Sequence, residues 1–195
     1  MEPVSHASTL LSNARIVLPE ETTGPGSLLV EDGRITRVLQ SSATAVKADH
    51  VIDLNGSTLF PGFVDIHIHG AIAVDTMTAS ADDLSRVGEF LASNGVTGWM
   101  PTLVPAATEQ YERALDAIAR VMRAQIQREE PEQAGSVHSR VLGVHYEGPF
   151  VNSEQCGALN REHFRTFARP ADLDSLPTIK HENAVHMMTV APEID

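Results

Sequence analysis

Two histidines one residue apart, His67 and His69, stand in the stretch Pro61–Gly70, PGFVDIHIHG. On a β-strand, residues i and i+2 project from one face, so both imidazoles enter one space while Ile66 and Ile68 turn to the other. Polar side chains at alternate positions of a strand otherwise fit for burial need a partner. Two neutral imidazoles converging on a point suit Zn, Fe or Ni, and a metal ion supplies that partner; histidines satisfied within a packed core are the alternative. Glu147 follows directly on a second apolar run and precedes the rigid pair Gly148-Pro149. A carboxylate there is a third candidate ligand, and it is the group able to bridge two cations about 3.5–4 Å apart. The only lysines are Lys47 and Lys180, and neither ends a strand. His145 shares the face of Glu147 if its strand is continuous, and there it stands behind the ligands, faces substrate, or packs in the interior. Asp65 orients His67 or caps the floor of the sheet, and His181 reads as a solvated surface residue. The absence of G-x-S-x-G, GxGxxG and P-loop patterns removes the serine-hydrolase, dinucleotide and P-loop nucleotide readings.

Strands and helices must place these groups. Residues 8–55 read as short strands and turns, with Asp32-Gly33 between apolar runs as a hairpin signal and Asn55-Gly56 as a second turn. This is a small all-β module, too short to bury a full core by itself. From Pro61 strand and helix alternate. The His67 strand reads as buried; Ser80 caps a helix whose apolar face is Leu84, Val87 and Leu91, and Asn94-Gly95 stops it. A strand follows over Val96–Val104, then a helix from about Thr108 to Glu129 with the stripe Leu115, Ile118, Met122 and Ile126. After the polar loop EEPEQAGS, a third strand covers Arg140–Tyr146. A long excursion over Val151–Pro170 precedes a helical stretch near Ala171–Ile179 and a fourth strand over His186–Ala191; long aperiodic loops are commonly functional. Alternating strands and helices imply parallel β-α units. Four such units are half of an eightfold barrel, whose sites lie at the C-terminal strand ends, where His67, His69 and Glu147 fall. An open α/β sheet is the other fold compatible with this rhythm.

The chain has 195 residues, 42% hydrophobic and 21% charged, the balance of a globular protein with a sizeable core. Its net charge of -12 disfavours nucleic acid and anionic membranes as partners. The single cysteine, Cys156, excludes an internal disulfide framework and fits a reducing compartment. With no signal-peptide pattern and no apolar run near about 18 residues, a cytoplasmic location is expected.

PGFVDIHIHG resembles the strand-one signature of the amidohydrolase superfamily, which follows a small β-sandwich segment there. Gly143–Asn160, GVHYEGPFVNSEQCGALN, resembles the G-x-H-x-EGPF motif of the N-acetylglucosamine-6-phosphate deacetylase family. TVAPE at Thr189–Glu193 is similar to that family's fourth-strand motif, and Pro101-Thr102 fits its second strand. The resemblance implies a β-sandwich segment over 1–57 and the first four β/α units of a metal-dependent (β/α)8 barrel over 58–195. It implies that Glu147 binds the catalytic divalent metal, with His67 and His69 on a second ion in members that keep both, so one or two ions, Zn or Fe. Ala158, Leu159 and Asn160 match the loop that touches the phosphorylated amino sugar, although the family often has histidine where this chain has Leu159. The family's further metal histidines and its catalytic aspartate come from later strands, so the catalytic acid is expected beyond Asp195 and the isolated chain is expected to be inactive. The resemblance also implies a homodimer for the full-length protein, since members are typically homodimers. Another amidohydrolase, such as a cyclic amidase or aminoacylase, remains an alternative, but the bridging lysine those enzymes commonly use has no counterpart here. A non-catalytic interaction module is the third possibility.

Overall fold

Asp32 and Gly33 adopt φ values of 51° and 70°, the two left-handed residues that a type I′ hairpin turn requires. In this computed structural model, which describes residues 7–40, 46–128 and 137–193, the turn joins β2 (Gly26–Glu31) to β3 (Arg34–Leu39) in antiparallel register. β1 (Ser8–Ile16) runs antiparallel to β2 and parallel to both β4 (His50–Asp53) and β5 (Thr58–Leu59). The strand order is β3-β2-β1-β4, with β5 also on β1. Ala14, Ile16 and Leu28 form a small core on this sheet.

Backbone proximity divides the chain into Met1–Pro61 and Gly62–Asp195. The second unit carries β6 (Phe63–Ile68), α1 (Ala81–Ser93), β7 (Val96–Leu103), α2 (Thr108–Arg128), β8 (Arg140–Val141), β9 (Gly143–Glu147) and β10 (Val185–Thr189). Its strands pair parallel in the order β10-β9-β7-β6, with β8 also on β7. Each β-α step therefore adds a strand on the same side, without the reversal of order found in a doubly wound sheet.

Ser80 starts α1 with a capping box: its hydroxyl accepts the Asp83 amide at 3.2 Å and the Asp83 carboxylate accepts the Ser80 amide at 3.2 Å. Leu84, Val87 and Leu91 are buried, and Gly95 at φ 81° lets the chain leave the helix. On α2, Leu115, Ile118 and Met122 face the core, whereas Ile126 at the end of the expected stripe is 45% exposed. Trp99 and Leu103 of β7 and Val144 of β9 complete this core at 0% exposure, each worth about 1.5–3 kcal/mol of burial. The side-chain amide of Gln125 on α2 binds both the Ser139 carbonyl and the Val141 amide, holding β8 against the helix. The expected end of α2 at Glu129 and the polar loop after it lie outside the described residues.

The structure departs from the sequence at three further places. The His67 strand is not buried: Phe63, Val64 and Ile66 are 59%, 56% and 50% exposed, because β6 is the edge strand of its sheet. The third strand is split at Leu142. Gly143 takes φ 154°, where a Cβ would stand 1.9 Å from the Val185 carbonyl oxygen, and this close approach bends the chain between β8 and β9. The stretch expected to be helical near Ala171–Ile179 is a short 3-10 helix over Pro170–Ser175, followed by extended chain in which Pro177 can give no amide to a helix.

Candidate metal centre

His67 lies near the C-terminal end of β6, His69 just past it, and Glu147 ends β9. Parallel pairing of both strands with β7 brings these C-terminal ends to one rim. His67 Nε2 is 3.5 Å and His69 Nε2 3.1 Å from the same oxygen, Glu147 Oε2, and the two imidazole nitrogens are 3.3 Å apart. Donors about 2.0–2.1 Å from a tetrahedral zinc are separated by about 3.3 Å along each edge. The three observed separations bracket that length, and two imidazoles with one carboxylate are a ligand set that leaves a fourth position open, as catalytic zinc sites do. Side-chain exposures of 46% and 49% for the histidines and 24% for Glu147 leave the cluster accessible from solvent.

The backbone around the pair is tightly held. The Asp65 carboxylate accepts the His67 amide at 3.1 Å, so it orients the main chain there. After His69 the chain doubles back: Gly70 takes φ 121°, and a Cβ on it would meet the Val74 carbonyl oxygen at 2.0 Å. Ile72 and Ala73 both adopt left-handed φ values, 49° and 63°, an unusual conformation for a β-branched residue. Thr76 closes this loop by donating its amide to the His69 carbonyl at 3.0 Å.

His145 is 1% exposed and stands behind the donors, its ring 4.6 Å from that of His67 in an edge-on contact. Its Nδ1 lies 3.1 Å from Thr102 Oγ1 and its Nε2 2.9 Å from Thr189 Oγ1. Burial holds its pKa below the ordinary imidazole value, with His67 and His69 acting in the same direction and Glu147 opposing them. Thr102 and Thr189 lie 43 and 44 residues from His145 along the chain. No local pattern marks a threonine as the partner of a distant histidine.

Other candidates fall elsewhere. Ala158 and Asn160 are exposed and Leu159 half-buried on the loop after β9, and the structure records no hydrogen bond or ion pair from them to the three donors. The Asn160 side chain caps the 3-10 turn Arg161–His163 by accepting the Glu162 amide at 3.1 Å. His186 Nε2 accepts the Ile179 amide at 3.0 Å and its ring stacks on Tyr146, so it braces the extended segment before β10. Cys156 is a free thiol. Among the described residues no helix is long and apolar enough to cross a membrane.

No family model matches the chain. It is 37% identical over 151 residues to the N-acetylglucosamine-6-phosphate deacetylase of Bos taurus, covering 75% of this chain and 34% of that protein. To the Bacillus subtilis enzyme of the same name it is 30% identical over 190 residues, 96% of this chain and 45% of the relative. Among solved structures, the Mycobacterium smegmatis deacetylase, a D267A mutant in complex with N-acetyl-D-glucosamine-6-phosphate, superposes with a TM-score of 0.74 at 26% identity, over 98% of this chain and 45% of that one. The Thermotoga maritima deacetylase gives 0.65 at 32% identity, over 95% and 43%. The chain thus spans between about a third and a half of the length of these relatives. In sequence and in its mixed α/β fold, this chain is similar to N-acetylglucosamine-6-phosphate deacetylases over part of their length.

Proposed function

We propose that this chain is the metal-binding first half of an amidohydrolase whose full-length form removes the acetyl group of N-acetylglucosamine 6-phosphate, releasing glucosamine 6-phosphate and acetate. The observation that carries the reading is the convergence of His67, His69 and Glu147 to separations of 3.1–3.5 Å at one strand rim. Four parallel strands added in chain order without reversal support the first half of a (β/α)8 barrel over 58–195. The sheet before it is read as the β-sandwich segment over 1–57.

His67, His69 and Glu147 are the residues to hold one or two divalent ions, Zn or Fe. A bound ion supplies polarisation of the acetyl carbonyl and a water acidified towards a pKa of about 7. His145, held by two threonines, keeps the His67 ring from turning away from the shared oxygen. An amide nitrogen leaves only when protonated. None of the three donors can serve as that acid while its lone pair is engaged, so the proton comes from a group outside this set. The loop of Ala158, Leu159 and Asn160 faces the phosphorylated sugar in this reading; a leucine side chain has no donor to offer the phosphate, so Leu159 contributes packing or backbone contacts. A reducing cytoplasm suits the lone Cys156, and sedimentation of the full-length protein checks the homodimer that the reading carries with it.

Acetate release from N-acetylglucosamine 6-phosphate with saturating zinc is the test. Full-length protein is expected to turn over and its Glu147→Gln variant to lose activity, while the 195-residue chain shows little. Full activity in the Glu147→Gln protein, or turnover near one per second from the short chain, an ordinary enzyme rate, would refute the assignment.

A further inference from the structure

Pro101 sits in the middle of β7, where it has no amide to give to the ladder. Its neighbour β6 loses register at this level, between the pairs Asp65↔Trp99 and Ile68↔Pro101. The irregular stretch contains His67. A side chain makes good the pairing lost there: the Ile68 amide, between the two histidines, donates to Thr102 Oγ1 at 2.9 Å. Thr102 is 0% exposed and sits directly opposite His145 in the β7–β9 register.

Three bonds meet at this residue. Its hydroxyl accepts the Ile68 amide and lies 3.1 Å from His145 Nδ1, and its carbonyl accepts the Thr76 hydroxyl at 2.6 Å. A hydroxyl has one proton and two lone pairs. With a lone pair given to Ile68, the assignment that leaves no buried donor idle sends the Thr102 proton to His145 Nδ1, and His145 then donates its Nε2–H to Thr189 Oγ1. Each partner of Thr102 adjoins a metal donor. Ile68 links the two histidines, Thr76 closes the loop that leaves His69, and His145 packs on the His67 ring two residues before Glu147.

We propose that Thr102 is the positioning residue of the metal centre, setting the mutual separations of His67, His69 and Glu147 through Ile68, Thr76 and His145. The inference rests on the metal-site reading of these three donors. Donor sets keep their affinity only when held to within about 0.5 Å of the productive geometry, and groups supporting metal ligands characteristically govern affinity about 10- to 100-fold.

The test is zinc affinity of the 195-residue chain, by competition with a chromophoric chelator, together with thermal unfolding of the metal-free protein. Thr102→Val keeps the shape and removes the hydroxyl; it is expected to raise the zinc Kd by about 10- to 100-fold in folded protein, and Thr102→Ser to restore affinity to within a few-fold of wild type. Thr102→Ala, which avoids crowding, takes the place of the valine variant if that one does not fold. A Thr102→Val or Thr102→Ala chain that melts earlier yet binds zinc as tightly as wild type shows a merely structural threonine and overturns the proposal. So does a serine variant as weak as the valine one. Wild-type chain that binds no zinc overturns the site reading and the inference with it.

Discussion

Replacing Glu147 by glutamine removes the one charged donor of the rim while keeping its size, and the expected effect can be worked through. Glutamine keeps one oxygen but only as a neutral amide carbonyl, so the charged oxygen that both imidazole nitrogens approach, at 3.1 and 3.5 Å, gives way to a much weaker donor beside an NH2 group that cannot bind a cation. An ion that binds only the folded chain stabilises it by about 2.7 kcal/mol at a free concentration of 100 Kd. Loss of a ligand costs at least as much affinity as loss of a group that supports one, about a hundredfold at the upper end. The same free zinc then stabilises the variant by only about 0.4 kcal/mol. For a chain of this size about 1 kcal/mol moves Tm by 2–4 °C. Zinc should therefore raise the transition of wild-type protein by about 5–11 °C and that of Glu147→Gln by about 1–2 °C, while the two metal-free chains melt alike. Scanning calorimetry with zinc and then with excess chelator reads this directly. Equal zinc-induced gains in the two proteins, or none in wild type, would refute the reasoning that these three donors form one site.

Other perturbations probe the scaffold. Gly143→Ala places a Cβ 1.9 Å from the Val185 carbonyl at a φ of 154° and should destabilise the chain by about 2–4 kcal/mol, read as a lowered urea midpoint; an unchanged midpoint would mean that β9 and β10 do not approach this closely. Ser80→Ala removes the hydroxyl that caps α1 and should cost about 0.5–2 kcal/mol in the same assay. Burial pushes the Tyr111 phenol up from 10.0 to about 12. Because the folded state holds that proton more tightly than the unfolded one, this contribution to stability is complete below pH 10 and is lost as pH rises from about 10 through 12. Tyr111→Phe should flatten the alkaline limb of a stability–pH curve, and an identical limb in both proteins would count against it.

Local chemistry was readable directly. The Asp32-Gly33 hairpin, the Ser80 cap, the Asn94-Gly95 stop and the Leu84-Val87-Leu91 face depend on backbone preferences and periodicities spanning a few residues, so the amino acids alone determine them. The alternation that singled out His67 and His69 is of the same kind, since a strand's two-residue period is independent of what it packs against. Burial of that strand is not legible in the sequence, for the complementary reason: exposure depends on which neighbours a sheet places beside it, and here β6 lies at the edge. The split at Leu142 likewise came from the close approach of Val185 to Gly143, a contact between segments far apart in the chain. The meeting of Glu147 with the two imidazoles on one oxygen, and the junction of Ile68, Thr76 and His145 at Thr102, were decided only by tertiary structure. Side-chain pattern says which way a residue points along its own strand; strand order and register fix what it meets, and these are set by the packing of the whole sheet.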